Sequence, residues 1–301
     1  MNSRALTAGP DYAHCGDAAA LCILRANLYI GVNSQGEAVK ARRAEGIRFG
    51  PCFCVALLAL AISISACHAP QRVMLTLSVA ASVKDAILEA EAAYLRDHAG
   101  IDFRNNFGSS GTLAREIEEG APVDAFISAA SKPVDDLEAN GLIAPGTRRN
   151  LLRNSLVLIA PRDSRLRDFH GLTDPSVRLI ALGDPASVPA GQYGRQTLAA
   201  LHLLDRLNQK LVLGGDVRQV LTYVETGNAD AGIVYATDAQ TSSRVRIVAV
   251  APDSSHDAIV YPAAVVKASQ NGGVARDFID YLSTPEAQAI FVRHGFTIAS
   301  P

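Results

Sequence analysis

The stretch IDFRNNFGSSGTLAREIEEGAPVDAFIS, residues 101–128, reads as two strands joined by a helix. IDFRNNF is a short strand, Thr112 to Glu119 form an amphipathic helix closed by Gly120, and VDAFIS (123–128) is again a strand. A strand, a helical crossover and a second strand place the two strands parallel in one sheet. Between the first strand and the helix stand Ser109 and Ser110, flanked by Gly108 and Gly111. Small hydroxyls beside bare backbone suit a nucleophile, a phosphate cradle or a plain helix cap. The stretch by itself leaves those three open.

The same alternation extends in both directions. Upstream, VMLTLSVAAS (73–82) is a continuous apolar run suited to a strand buried on both faces. It feeds a helix whose apolar face carries Val83, Ala86, Ile87, Ala90 and Tyr94, with Gly100 expected at the C′ position beyond it. Downstream, a helix runs through Ala139 and stops at Gly141. A second set of elements then begins. It comprises the strands SLVLIAP (155–161) and RLIALGD (178–184), a helix from about Ala190 to Leu201, and a helix from Val217 to Glu225. The strands ADAGIVYA (229–236), RVRIVAV (244–250) and DAIVYPAAVV (257–266) follow, then the helices VARDFIDYLS (274–283) and PEAQAIFVRHG (285–295). So many strand–helix units exceed one small sheet, and two α/β lobes are the economical reading.

Composition narrows the function classes. The chain has 301 residues, 49% of them apolar, and a formal net charge of −2. No basic excess argues for nucleic acid and no acidic tract for a disordered tail. Cysteines stand at 15, 22, 52, 54 and 67 and nowhere later, so the folded part has no disulfide and no thiolate metal site. Residues 40–67 pass from the basic KARRAEGIRFG into the apolar PCFCVALLALAISISA, which is short for a membrane span and has the shape of an export signal. It ends in ISAC (64–67), which resembles a bacterial lipobox and would make Cys67 the lipid-bearing N-terminus; cleavage after Ala69 is the competing reading. Residues 1–50 read as an N-terminal extension outside the fold. The mature protein is expected in the periplasm.

Motifs for catalysis are thin. GSSG is not the G-x-S-x-G nucleophile elbow. His98, His170, His202, His256 and His294 show no metal-ligand spacing, and no Walker A or G-x-G-x-x-G sequence occurs. One junction does recur. Ser82, Ser109 and Ser110, GDPASVPAG (183–191) and GGDVRQ (214–219) each lead from a strand into a helix start, with Asp216 as expected N-cap and Gln219 three residues on. Helix starts offer unpaired N–H groups and the positive end of the dipole. One such start is only a cap; four in one chain favour a shared anion site at the carboxyl ends of the strands.

At this point VAASVKDA, FGSSGTLAREIEEGAPVDAFIS, GDPASVPAGQYG, DVRQVLTYVETGNADAGIVYATDA and STPEAQAIFVRHGF together resemble the periplasmic molybdate-binding proteins, the ModA family, over residues 73–299. The resemblance implies a two-lobed periplasmic binding protein fold, each lobe a sheet flanked by helices, with the ligand in the cleft. Lobe one would comprise residues 73–154 and 250–301, and lobe two residues 155–249. It implies binding of molybdate or tungstate and delivery to an ABC permease, with no cofactor, no catalysis and a monomeric chain. The oxyanion contacts carried over are Ser82, Ser110, Ala190, Val217 and Tyr235, holding the oxyanion without direct ligation of its metal. The family commonly has a serine where this chain has Gly111, a change expected to remove no main contact. Sulfate or thiosulfate is the alternative ligand, and a secreted serine hydrolase using Ser82 or Ser110 the alternative class.

Overall fold

The computed structural model of the chain describes residues 72–299; the expected extension, export signal and Cys67 lie outside them. Eleven strands form two sheets. The first sheet has the order β11-β4-β10-β3-β1-β2, built from β1 (Val73–Ala80), β2 (Ile101–Gly108), β3 (Ala125–Ile127), β4 (Arg149–Arg153), β10 (Val260–Val265) and β11 (Thr297–Ile298). The second has the order β7-β6-β8-β5-β9, built from β5 (Leu156–Pro161), β6 (Ile180–Gly183), β7 (Leu211–Gly214), β8 (Ala231–Tyr235) and β9 (Val245–Val250). The chain passes from one sheet to the other between Arg153 and Leu156, and back between Val250 and Val260.

Nine helices flank the described sheets: α1 (Lys84–Tyr94), α2 (Ser110–Glu118), α3 (Ser131–Ala139), α4 (Pro189–Ala200), the short α5 (Leu204–Leu207), α6 (Val217–Glu225), α7 (Ala236–Gln240), α8 (Gly272–Tyr281) and α9 (Pro285–Arg293). Their sequences explain where they pack. Leu75, Leu77 and Val79 of β1 are fully buried and share a core cluster with Ala86, Ile87 and Ala90, one face of α1. Leu113, Ala114 and Ile117 of α2 cluster instead with Val134 and Leu137 of α3 and Phe126 of β3, on the other side of the sheet. α4 starts on Pro189, whose fixed φ and missing N–H suit the first helical position.

β1, β2 and β3 pair in parallel, as the βαβ pattern requires. Neither sheet is parallel throughout. β10 runs antiparallel to β3 and β4, and β5 antiparallel to β8 and β9, because the strands beside the two crossings enter their sheets reversed. Three strands escaped the sequence reading. β4 buries only Leu151 and Leu152 within RNLLR, and β7 and β11 are short pieces at sheet edges. Gly100 is not a helix C′ residue: α1 ends at Tyr94 with Leu95 as its cap, and the Gly100 carbonyl accepts the Val73 N–H at 2.9 Å. Gly120 and Gly141 do hold positive φ, 90° and 68°, where α2 and α3 stop.

Candidate functional site

The four small-residue junctions meet. One pocket is lined by Ala80–Ser82 after β1, Gly108–Ser110 after β2, Val188–Ala190 at the start of α4, Asp216 and Val217 at the start of α6, Ala129, and Tyr235 at the end of β8. These are the carboxyl ends of strands from both sheets. Ser82, Ser110, Ala190, Val217 and Tyr235 all line it and all are buried. The cavity measures about 10 Å³, the volume of a sphere of roughly 1.3 Å radius and about the room one water molecule needs. Larger hollows exist, such as one of about 480 Å³ lined by Asp163, Arg165 and Asp230, but it sits at the opposite end of the second sheet, past the end of β5 and the start of β8.

The two adjacent serines divide the roles that the sequence left open. Ser109 is the N-cap of α2: its Oγ accepts the Thr112 N–H at 3.3 Å, and its hydroxyl donates to Thr112 Oγ1 at 2.8 Å. Ser110, the first helical residue, sits deeper, and its Oγ accepts the Ala129 N–H at 2.9 Å. Its own proton is thereby left for the pocket. Ser82 Oγ pairs with the Tyr261 hydroxyl at 2.9 Å, and Asn154 Nδ2 donates to Tyr261 at 3.2 Å and to Thr237 Oγ1 at 2.8 Å. The Tyr235 hydroxyl donates to the Ala129 carbonyl across a long 3.3 Å. Burial, reinforced by neighbouring tyrosines and Asp238, pushes the Tyr235 phenol well above its ordinary value, so it stays a donor.

The electrostatics are those of neutral donors. No Lys, Arg or His lines the pocket. Its one acidic residue, Asp216, accepts the Gln219 N–H at 2.9 Å as N-cap of α6. Caps and neighbouring carbonyls take some of the first-turn N–H groups of α2, α4 and α6, among them those of Gly111, Thr112, Gly191 and Gln219, and the helix starts, with their positive dipole ends, line the cavity. Neither Ser82 Oγ nor Ser110 Oγ touches a histidine; the histidine rings bond elsewhere, His98 to the Tyr94 carbonyl and His294 to Glu89.

Three contacts tie the two sheets' elements together around the cavity. Tyr235 reaches Ala129, as above. The Gly111 N–H donates to the Ser187 carbonyl at 2.9 Å, and a Cβ at Gly111 would lie 2.6 Å from that oxygen. Arg218, on α6, donates to Asp85 on α1 at 2.7 Å and also lies 2.6 Å from Asp238. The Arg218–Asp238 contact is close but poorly directed as a hydrogen bond. Burial raises the Asp238 carboxyl to about 7, against the opposing pull of Arg218. Tyr261, Asn154, Arg218 and Asp85 were not singled out from the sequence. Tyr261 sits in an apolar strand run and reads as core; only the fold brings it beside Ser82, 179 positions away.

Comparisons with known proteins give the family. The family model described as "Bacterial extracellular solute-binding protein" matches residues 75–297. The molybdate-binding protein ModA of Escherichia coli K12 is 43% identical over 230 residues, 74% of this chain and 89% of that protein. The chain belongs to the ModA family of bacterial extracellular solute-binding proteins. YvgL of Bacillus subtilis 168, whose name includes the words ABC transporter substrate-binding lipoprotein, is 44% identical over 235 residues, covering 77% of this chain and 90% of YvgL. The solved periplasmic molybdate-binding protein of Azotobacter vinelandii is 25% identical, with a TM-score of 0.68 over 75% of this chain and all of that one. As a member of the ModA family, the chain has the two-lobed periplasmic binding protein fold, one sheet with its helices in each lobe.

Proposed function

We propose that this protein binds molybdate, and tungstate with it, in the cavity between its lobes and delivers the ion to an ABC permease. The observation that carries the reading is the convergence of three helix N-termini, the turn holding Ser82 and the Tyr235 phenol on one small cavity that no Lys, Arg or His enters. Ser82 and Ser110 supply hydroxyl donors, Tyr235 adds a third by exchanging its long bond to the Ala129 carbonyl for one to the ion, and Ala190 and Val217 supply backbone N–H groups. A dianion removed from water needs its hydration shell replaced by hydrogen bonds. Bonds to a charged group are worth roughly 1.5–3 kcal/mol each, so a handful supports micromolar binding or tighter, about −8 kcal/mol.

The same donors set the selectivity. Monohydrogen phosphate needs an acceptor for its proton; the proposed contacts are donors, and the pocket's one carboxylate, Asp216, is engaged as the N-cap of α6. Sulfate carries the right charge but is smaller, and a cavity shaped for larger ions leaves its bonds long. Donors from both lobes meet on one anion, so the ligand favours the closed form by differential contact. The family match and the lipoprotein name of YvgL support an exported protein anchored through Cys67, and the chain is read as a monomer. Among the described residues no helix is long and apolar enough to cross a membrane.

A thermal-shift panel of oxyanions tests the ligand. Micromolar molybdate should raise the melting temperature by mass action, and equal sulfate or phosphate should not. Calorimetry on Ser110→Ala should show molybdate affinity about tenfold lower or worse. A melting temperature indifferent to molybdate refutes the assignment, and an unchanged Ser110→Ala affinity removes Ser110 from the site.

A further inference from the structure

We propose that Tyr261 and Asn154 form a positioning relay that makes Ser82 an obligatory hydrogen-bond donor, and so set the site's preference for oxyanions without a proton. The proposal rests on the functional reading above and names residues that do not line the cavity.

The direction of each proton follows from the contacts. The Asn154 side chain is oriented by the Ser155 N–H, which donates to Oδ1 at 2.9 Å, so Nδ2 is the group that faces Tyr261 and Thr237. An amide NH₂ can only donate. The Tyr261 oxygen therefore accepts from Asn154, and its own proton needs an acceptor. The ring is fully buried on β10, and Ser82 Oγ at 2.9 Å is the acceptor in reach. Reversing the Ser82–Tyr261 bond would leave the phenol proton orphaned, an arrangement disfavoured by roughly tenfold to hundredfold. With its oxygen already engaged by Tyr261, Ser82 has its proton left to offer the cavity.

Ser110 stands in the same condition by different means, since the Ala129 N–H occupies its oxygen. A backbone donor cannot be mutated away, but Tyr261 can. Burial, with the nearby Asp238 adding to it, holds the Tyr261 phenol well above its ordinary value, so it stays a donor at neutral and mildly alkaline pH. An anion such as monohydrogen phosphate or hydrogen arsenate must turn an O–H toward some pocket group. Both serines meet it with a proton.

The test is calorimetry of the full protein with molybdate, inorganic phosphate and arsenate at mildly alkaline pH. In Tyr261→Phe the shape is kept and the phenol proton that occupies one Ser82 lone pair is lost, so the Ser82 hydroxyl can turn freely and accept from the ligand with either lone pair. Molybdate affinity should fall severalfold, and the ratio of molybdate to phosphate affinity should narrow about tenfold or more. Asn154→Leu, which cannot donate to Tyr261, should narrow the ratio in the same direction and stands in if Tyr261→Phe does not fold. Thr237→Val disturbs the same polar cluster outside the relay and should leave the ratio unchanged. If both relay variants weaken all three ions alike, the residues merely support the pocket and the relay is refuted. A wild type that ignores molybdate would overturn the functional reading itself, a result distinct from a binder whose variants keep their ratio.

Discussion

Gly111→Ala is the sharpest perturbation of closure that the geometry offers. The Gly111 N–H donates across the cleft to the Ser187 carbonyl at 2.9 Å. A Cβ built on Gly111 would lie 2.6 Å from the Ser187 oxygen, 2.8 Å from its Cα and 3.1 Å from its carbonyl carbon. All three are backbone atoms, so no rotamer change relieves the overlap. Restoring ordinary contact means moving the oxygen from 2.6 to at least 3.4 Å, an opening of about 0.8 Å where the lobes approach each other. Overpacking of this kind costs about 1–3 kcal/mol, and the cross-lobe bond, worth about 1 kcal/mol, stretches with it. The cost falls on the closed form alone. Molybdate affinity by calorimetry should therefore drop at least about tenfold, while the melting temperature without ligand stays within about a degree of the wild type. Equal affinities for Gly111→Ala and wild type would refute the argument. The family resemblance places a serine at this position elsewhere, so the sensitivity would belong to this chain's closer approach at Ser187.

Two further outcomes follow from charges beside the cleft. Asp85→Asn removes the charge from the Arg218–Asp85 pair, whose carboxylate is nearly half exposed, so molybdate affinity should fall only about twofold to fivefold, with the loss shrinking at high salt in calorimetry. Glu91 is buried against the Asn105 amide, and desolvation raises its carboxyl from 4.5 to about 7 despite that bond. Its folded pKa lies above the unfolded one, so its contribution is fully present below the unfolded value and is lost as pH rises through about 7. Glu91→Gln should match wild type near pH 4 in denaturant melts and exceed it by on the order of 1–3 kcal/mol near pH 8.

What the sequence disclosed and what it concealed divide along a physical line. Elements with their own period were legible: β1, α4 and α6 fall where their apolar patterns placed them, and Val217–Glu225 matches to the residue. The helix starts were legible too, since caps and anion sites use the same local chemistry, and those junctions line one cavity. Some short strands were not. RNLLR carries two buried leucines among charges, and β11 is two residues long, so neither has a periodicity to read. The supporting contacts were hidden for another reason. Tyr261 and Ser82, Gly111 and Ser187, and Arg218 and Asp85 are partners only through the return of the chain to its first sheet and the meeting of the lobes.

A cavity of neutral donors around a doubly charged ion invites the objection that a single lysine would bind it better. Affinity is not the only quantity such a site must set. A lysine rewards any anion in proportion to its charge, and sulfate, monohydrogen phosphate and molybdate all carry two negative charges at neutral pH. Directed donors discriminate by number, distance and proton instead, because each accepts one lone pair at one position. Asp216 sharpens the point. Its carboxylate caps α6 at the rim of the cavity, where added positive charge would pair with it and lose direction. Left as a cap, it fixes the first turn of α6, whose Val217 lines the cavity. Arg218, beside Val217, is drawn away to Asp85 and Asp238, so its guanidinium ties elements of the two sheets together and does not line the cavity. The protein thus spends its cation on the conformational step and leaves recognition to hydroxyls and amides.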